Sequence, residues 1–194
     1  MSILDPMKTR LTRDLEPILA LPDPRKKLSA YHDMPYAIFR YDPDEEFELR
    51  REVGMLETRL TQLGKRVTRI SLAECLDQAM RRMEPLEDWF AREREMGTDT
   101  VITTVSNVLA DYVPLVDLVT ERLPPDQDPA RDVVFIVRTG ALFPVYRAHS
   151  LLEQVKGRIR VPAVLFYPGV LDGAAGLRFM GVLDADSNYR PKIF

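Results

Sequence analysis

At 194 residues the chain suits one folded domain, long enough to bury roughly 70% of its extended surface without disulfide or metal staples. Its 27 basic and 30 acidic side chains leave a net charge of −3, not the basic excess that neutralises phosphates, so nucleic-acid binding as the main activity is disfavoured. Cys75 alone excludes an internal disulfide or a thiolate metal cluster, and no stretch approaches the ~20 apolar residues of a membrane span. The opening MSILDPMKTRLTRDLEP alternates charged and apolar residues, unlike a secretory or transit segment, so the expected location is cytoplasmic.

The spacing of Ile3, Met7, Leu11, Leu15 and Ile18 predicts an amphipathic helix over 3–20, ended by Leu21-Pro22-Asp23-Pro24. Residues 25–35 then form a polar approach to a first strand, Tyr36 to Tyr41. Asp42-Pro43-Asp44-Glu45 is a helix start: a capping aspartate, proline at the first helical position, and glutamate three residues after the cap. Leu49, Val53, Leu56, Leu60 and Leu63 put one apolar stripe on that helix, and Gly64 stops it.

Val67 to Ile70 reads as a short strand, and Ser71-Leu72-Ala73-Glu74 as a capping box opening the next helix. Pro85 divides that helix from another carrying Leu86, Trp89 and Phe90, which stops at Gly97. Residues 98–123 read as two helices broken at Pro114, and residues 124–129 as a loop. Val133 to Val137 is a fully buried strand by its unbroken apolar run. A helix near Pro144 runs to Val155, and Val161 to Tyr167 is a further buried strand stopped by Pro168-Gly169. Leu177 to Val182 follows as a hairpin partner or edge strand. Strands alternating with helices predict a three-layer α/β domain over 1–194, its mostly parallel sheet flanked by helices, with residues 1–35 a helical approach segment.

Such a fold invites a nucleotide, but the phosphate loop is missing. The only Gly-Lys pair, Gly64-Lys65, is followed by Arg66, with no glycine five positions earlier, and GxGxxG is absent. Thr139-Gly140, between a buried strand and a helix start, can hold an anion on helix N-terminal amides, with Arg147 as counter-charge. The plainer reading is that Gly140 only permits a tight turn. His32 and His149 lack metal-ligand spacing, no nucleophile elbow exists, and Cys75 on an apolar helix face reads as a structural thiol. The acidic run Asp42, Asp44, Glu45, Glu46 serves helix capping. With no catalytic constellation, the expectation is a protein that is not an enzyme and takes no metal or cofactor.

The last third interleaves Arg138, Arg147, Arg178, Arg190 and Lys192 with Phe143, Tyr146, Tyr167, Phe179, Tyr189 and Phe194. Arginine among aromatics is the composition of protein-interface hot spots, which makes Arg138, Arg147, Arg178, Phe179 and Arg190 candidate partner-binding residues. The same composition suits a stacked base, or aromatics in the core with solvated arginines. Lys156 to Arg160 is a basic cluster without nearby acid.

The segments YAIFRYDPDEEFELRRE, VTRISLAECL, Arg138 with Gly140-Ala141-Leu142-Phe143-Pro144, Tyr146-Arg147, LFYPG, GLRFMG and the closing NYRPKIF resemble the BrxB family. That family is a small component of the BREX phage-defence systems of bacteria, and the resemblance spans nearly the whole chain. It implies work beside a methyltransferase (PglX), an AAA+ ATPase (BrxC) and an alkaline-phosphatase-superfamily protein (PglZ). It carries no established catalytic residues and implies a degenerate nucleotide-binding-like sheet. The expected function is a non-catalytic adaptor on a larger BREX protein, PglZ first and PglX or BrxC next. The alternative is a degenerate nucleotide- or phosphate-binding regulatory subunit using Thr139, Gly140 and Arg147.

Overall fold

The computed structural model describes residues 6–29, 34–173, 176–185 and 191–194. The chain opens with α1 (Met7–Thr9), a π-helical stretch (Arg10–Leu15), α2 (Glu16–Leu19) and α3 (Arg25–Leu28). These lead to β1 (Tyr36–Tyr41), α4 (Glu46–Gln62) and β2 (Arg66–Ser71). Four helices follow: α5 (Leu72–Met83), α6 (Leu86–Met96), α7 (Thr98–Asn107) and, after a second π stretch (Val108–Tyr112), α8 (Leu115–Thr120). Then come β3 (Asp132–Val137), a short 3-10 turn (Thr139–Leu142), α9 (Ala148–Gln154), β4 (Ala163–Asp172) and β5 (Gly176–Phe179).

The sheet order is β1-β4-β3-β2, all parallel, and β5 pairs antiparallel with the far half of β4. The step from β1 to β2 crosses the sheet one way, while β2 to β3 to β4 returns the other. With right-handed crossovers that sends α4 to one face and α5–α9 to the opposite face. The packing bears this out with a period of two. Ala37, Phe39, Tyr41, Phe135 and Phe166 pack with α4 and the N-terminal helices, and Ile38, Ile136, Leu165 and Tyr167 pack with α5 and α7–α9. The result is the expected three-layer α/β arrangement. The central runs Val133–Val137 of β3 and Ala163–Tyr167 of β4 are apolar because helices cover both faces.

The N-terminal helices belong to the α4 layer. Met7, Leu11, Leu15 and Leu19 are buried there, and Arg59 grips Glu16 with two hydrogen bonds of 2.7 Å. The expected stripe ran through Ile18, but Leu19 takes the buried position, because the π stretch adds a residue per turn and rotates the face that follows. Both π stretches sit just ahead of a proline, Pro17 and Pro114, whose ring crowds the preceding turn and offers no N–H to it. Ile3 lies outside the described residues.

Three other boundaries differ from the sequence reading. Leu63 is exposed, since α4 ends at Gln62 and leaves it past the last turn. The helix expected near Pro144 begins only at Ala148, because the residue before proline avoids helical geometry and Phe143 is extended. Pro168-Gly169 does not stop β4. Pro168 closes the β1 ladder opposite Tyr41, and Gly169 opens the β5 ladder opposite Phe179. A Cβ at Gly169 would lie 2.4 Å from the Arg178 carbonyl oxygen, so only glycine permits that pairing. The last residues run along the outer side of β1. Ile38 donates to Lys192, Phe194 donates to Ile38 and Arg40 donates to Phe194, burying the Phe194 ring.

Candidate functional site

The carboxyl ends of β2 and β3 and the start of α4 meet at a cleft of about 180 Å³ whose rim includes Glu46, Arg50, Arg69, Ser71, Glu74 and Arg138. This is where open α/β sheets place their ligands. The turn after β1 is built as the sequence implies: Asp44 N–H donates to Asp42 at 3.0 Å, and Asp42 N–H donates to Glu45 at 3.2 Å. That reciprocal cap sets Glu46 at the first turn of α4.

Glu46 is the hub of the cleft. Its carboxylate accepts from the buried Tyr41 hydroxyl and from Arg50 Nε at 2.7 Å, and lies 3.7 Å from Arg138 Nε. Burial first, then the Glu46 carboxylate, pushes the Tyr41 hydroxyl far above its ordinary pKa, so it stays a donor. Arg69 pairs with Glu57, and Ser71 caps α5 by accepting from Glu74 N–H at 3.3 Å. Positive and negative groups thus neutralise one another around the cleft.

The backbone of Arg138 is left-handed, with φ 60°. The sequence reading put the special turn geometry at Gly140. The structure puts it one step after β3, on an arginine, where a side chain raises its cost by about 1–2 kcal/mol. Gly140 itself has ordinary φ, and a Cβ there would meet only Met180 Sδ at 3.4 Å and Pro168 Cγ at 3.5 Å. Thr139 is fully buried, and its Oγ1 has no hydrogen-bond partner among the described residues. Neither Thr139 nor Gly140 lines the strand-end cleft.

Arg147 lies elsewhere. It precedes α9 and lines a separate, open cleft of about 460 Å³ with Pro144, Tyr146, Ser150 and Gln154. The three residues of the anion reading are therefore gathered in neither cleft. Phe179 is a core residue, its ring 5.4 Å from Tyr167 and 6.1 Å from Phe143, so it is not presented to a partner. Arg178, beside it on β5, is half-buried, and its Nε has no hydrogen-bond partner among the described residues. Arg190 and His32 lie outside the described residues.

The remaining candidates lie away from both clefts. Lys65 sits at the opposite end of the sheet, donating to the carbonyls of Leu21 and Ala130, with burial lowering its pKa. Arg158, in the Lys156 to Arg160 cluster, pairs with Asp117 at 2.7 Å. Cys75 is buried, and burial pushes its thiol pKa up. No group of three His, Cys, Asp or Glu side chains able to hold a metal occurs among the described residues. The Glu46–Tyr41–Arg138 constellation escaped the sequence reading. Its one local signal was Glu46 four residues before Arg50, a common helix pairing.

No helix among the described residues is long and apolar enough to cross a membrane. Comparison with known proteins adds three findings. The family model described as "BREX protein BrxB" matches residues 68–193, from within β2 to the penultimate residue. The BREX protein BrxB of Bacillus cereus (strain H3081.97) is 26% identical over 164 residues, covering 82% of each chain. No solved structure matches the chain. With the family model covering well over half of the sequence, this chain belongs to the BREX protein BrxB family.

Proposed function

We propose that this protein serves phage defence as a non-catalytic adaptor in the cytoplasm. It docks on a larger BREX component: a PglZ-like protein first, with PglX or BrxC as further partners. The observation that carries this reading is Arg138. A left-handed arginine at the carboxyl end of a central strand, 40% exposed and 3.7 Å from Glu46, holds its side chain at the rim of the strand-end cleft at a cost in backbone strain. Arg178, half-buried on β5, is the second arginine that this reading assigns to the partner surface.

The test is light-scattering size exclusion of this protein with its own PglZ-like neighbour, alone and mixed, with PglX and BrxC in parallel. A complex that weakens on Arg138→Glu or Arg178→Glu, with unchanged melting temperature, supports the reading. Absence of any complex at micromolar concentration overturns it.

A second reading, a degenerate nucleotide- or phosphate-binding subunit, keeps Thr139, Gly140 and Arg147 as its candidates, with Thr139 Oγ1 buried and without a hydrogen-bond partner among the described residues in the turn beyond β3. Calorimetric titration with ATP and GTP decides it. Heat that disappears on Thr139→Val would favour this subunit, and no heat removes it.

A further inference from the structure

The helical pair α6 and α7 stands apart from the rest of the molecule in how little it buries. Each helix has one buried residue, Trp89 in α6 and Val105 in α7. Trp89 anchors the pair, donating its indole N–H to the Met80 carbonyl at 3.2 Å. Around that anchor large apolar side chains face solvent: Met83 is 45% exposed, Phe90 54%, Met96 57% and Tyr112 70%. Where the arm joins the body, Met83 at the end of α5 and Tyr112 at the end of the second π stretch line a cleft of about 250 Å³ together with Trp89 and Val108. Exposed apolar residues grouped at a cleft, rather than scattered singly, mark an interaction surface.

The charge of this region is as distinctive. Residues 84–112 hold seven carboxylates and two arginines, so the segment is more acidic than the whole chain, whose net charge is −3. Arg92 is already committed, pairing with Glu84 at 2.8 Å and lying over the Trp89 ring. The other six carboxylates, Glu87, Asp88, Glu93, Glu95, Asp99 and Asp111, are exposed, and none makes an ion pair among the described residues. Elsewhere Glu46, Glu57, Asp77, Asp117 and Asp132 all pair with arginines. The cleft's own lining charges, Glu84 and Arg92, neutralise each other, and the unpaired carboxylates lie elsewhere along the same 84–112 segment; exposed apolar side chains beside such net negative charge are complementary to a basic surface.

We infer that the α6–α7 arm docks a basic partner protein, which inserts an apolar side chain between Met83 and Tyr112 and lays lysines or arginines against the carboxylates of the same segment. This rests on the adaptor reading and extends it: the acidic arm and the charge-balanced Arg138 face differ in charge, so one molecule can bridge two different partners. Nucleic acid is repelled by the same carboxylates.

The test measures the affinity of the full chain for each of the three purified larger BREX proteins, at low and raised salt. Two variants alter the arm, Met83→Ala with Tyr112→Ala and Glu87→Lys with Asp88→Lys, and Arg138→Glu serves as the comparison. These arm side chains are exposed, and an unchanged melting temperature confirms folding. The inference expects at least one partner to bind about tenfold more weakly to both arm variants, with a smaller salt dependence for the charge-reversed one. Binding that both arm variants leave at the parent level overturns the arm while the adaptor reading stands. A parent chain that binds none of the three overturns both. Self-association of the parent that either arm variant abolishes identifies a second copy as the occupant and overturns the basic-partner assignment.

Discussion

Arg138 leaves β3 in a left-handed conformation and brings its guanidinium Nε to 3.7 Å from the Glu46 carboxylate at the first turn of α4. The contact joins the end of a central strand to the helix that follows an outer strand, across the mouth of the strand-end cleft. It separates what the backbone would prefer from what the surface presents.

That separation makes Arg138→Gly informative. Glycine adopts positive φ freely, so the variant is expected to be as stable as the parent or more stable by about 1 kcal/mol. It should nevertheless bind the PglZ-like partner more weakly. Thermal melts beside size exclusion check both halves, and a clear loss of stability would show that the arginine serves folding instead.

Glu46 supports a buried hydroxyl. Glu46→Ala leaves Tyr41 without its acceptor inside the core and is expected to cost about 1–3 kcal/mol, whereas Tyr41→Phe, which removes donor and need together, costs about 1 kcal/mol or less. Urea titrations of the two single variants and the double variant measure the coupling.

Gly169 and Gly140 should respond oppositely to alanine. At Gly169 the added Cβ meets backbone at 2.4 Å, so the β4–β5 hairpin must shift, at an expected cost of about 3 kcal/mol or more. At Gly140 the nearest atom is the flexible Met180 Sδ at 3.4 Å, and the change should stay within about 0.5 kcal/mol. Differential scanning calorimetry of both variants distinguishes them.

The buried thiol and phenols are expected to weaken the fold at alkaline pH. Burial raises Cys75 above its ordinary 9.0, and raises Tyr41 and Tyr146 above 10.0. Above those values the unfolded chain releases protons that the folded chain keeps. The stability these groups supply is therefore complete below pH 9 and falls as pH rises, by up to about 1.4 kcal/mol per pH unit per group. Cys75→Ala should remove the earliest part of the decline, starting near its ordinary value of 9.0. Iodoacetamide should label Cys75 far more slowly in the folded protein than in urea.

Much of the architecture was written in local patterns. The unbroken apolar run of β3, the cap at Asp42 and the stripe from Leu49 to Leu60 each report a short-range physical need: burial on both faces, orphan amides at a helix start, one wet face. The absence of a phosphate loop was legible for the same reason, since that motif is contiguous. Pro43, Pro85 and Pro114 mark the helix boundaries that their sequence implies, whereas the boundaries at Pro144 and Pro168 lie elsewhere. Pro168 lies where β4 changes partners, a fact of sheet pairing that its neighbours in sequence do not record.

The sequence by itself determined the fold class and the family resemblance, because alternation of strand and helix and the residues of the last third are properties of order along the chain. Only the tertiary structure decided which side chains act together. Tyr41, Glu46 and Arg138 are brought to one point by parallel pairing and crossovers. The same packing draws Phe179 inward and carries Arg147 to another cleft. It also leaves the α6–α7 arm with its acidic, apolar surface uncovered. Proximity across the sheet depends on register and handedness, which no window of sequence contains.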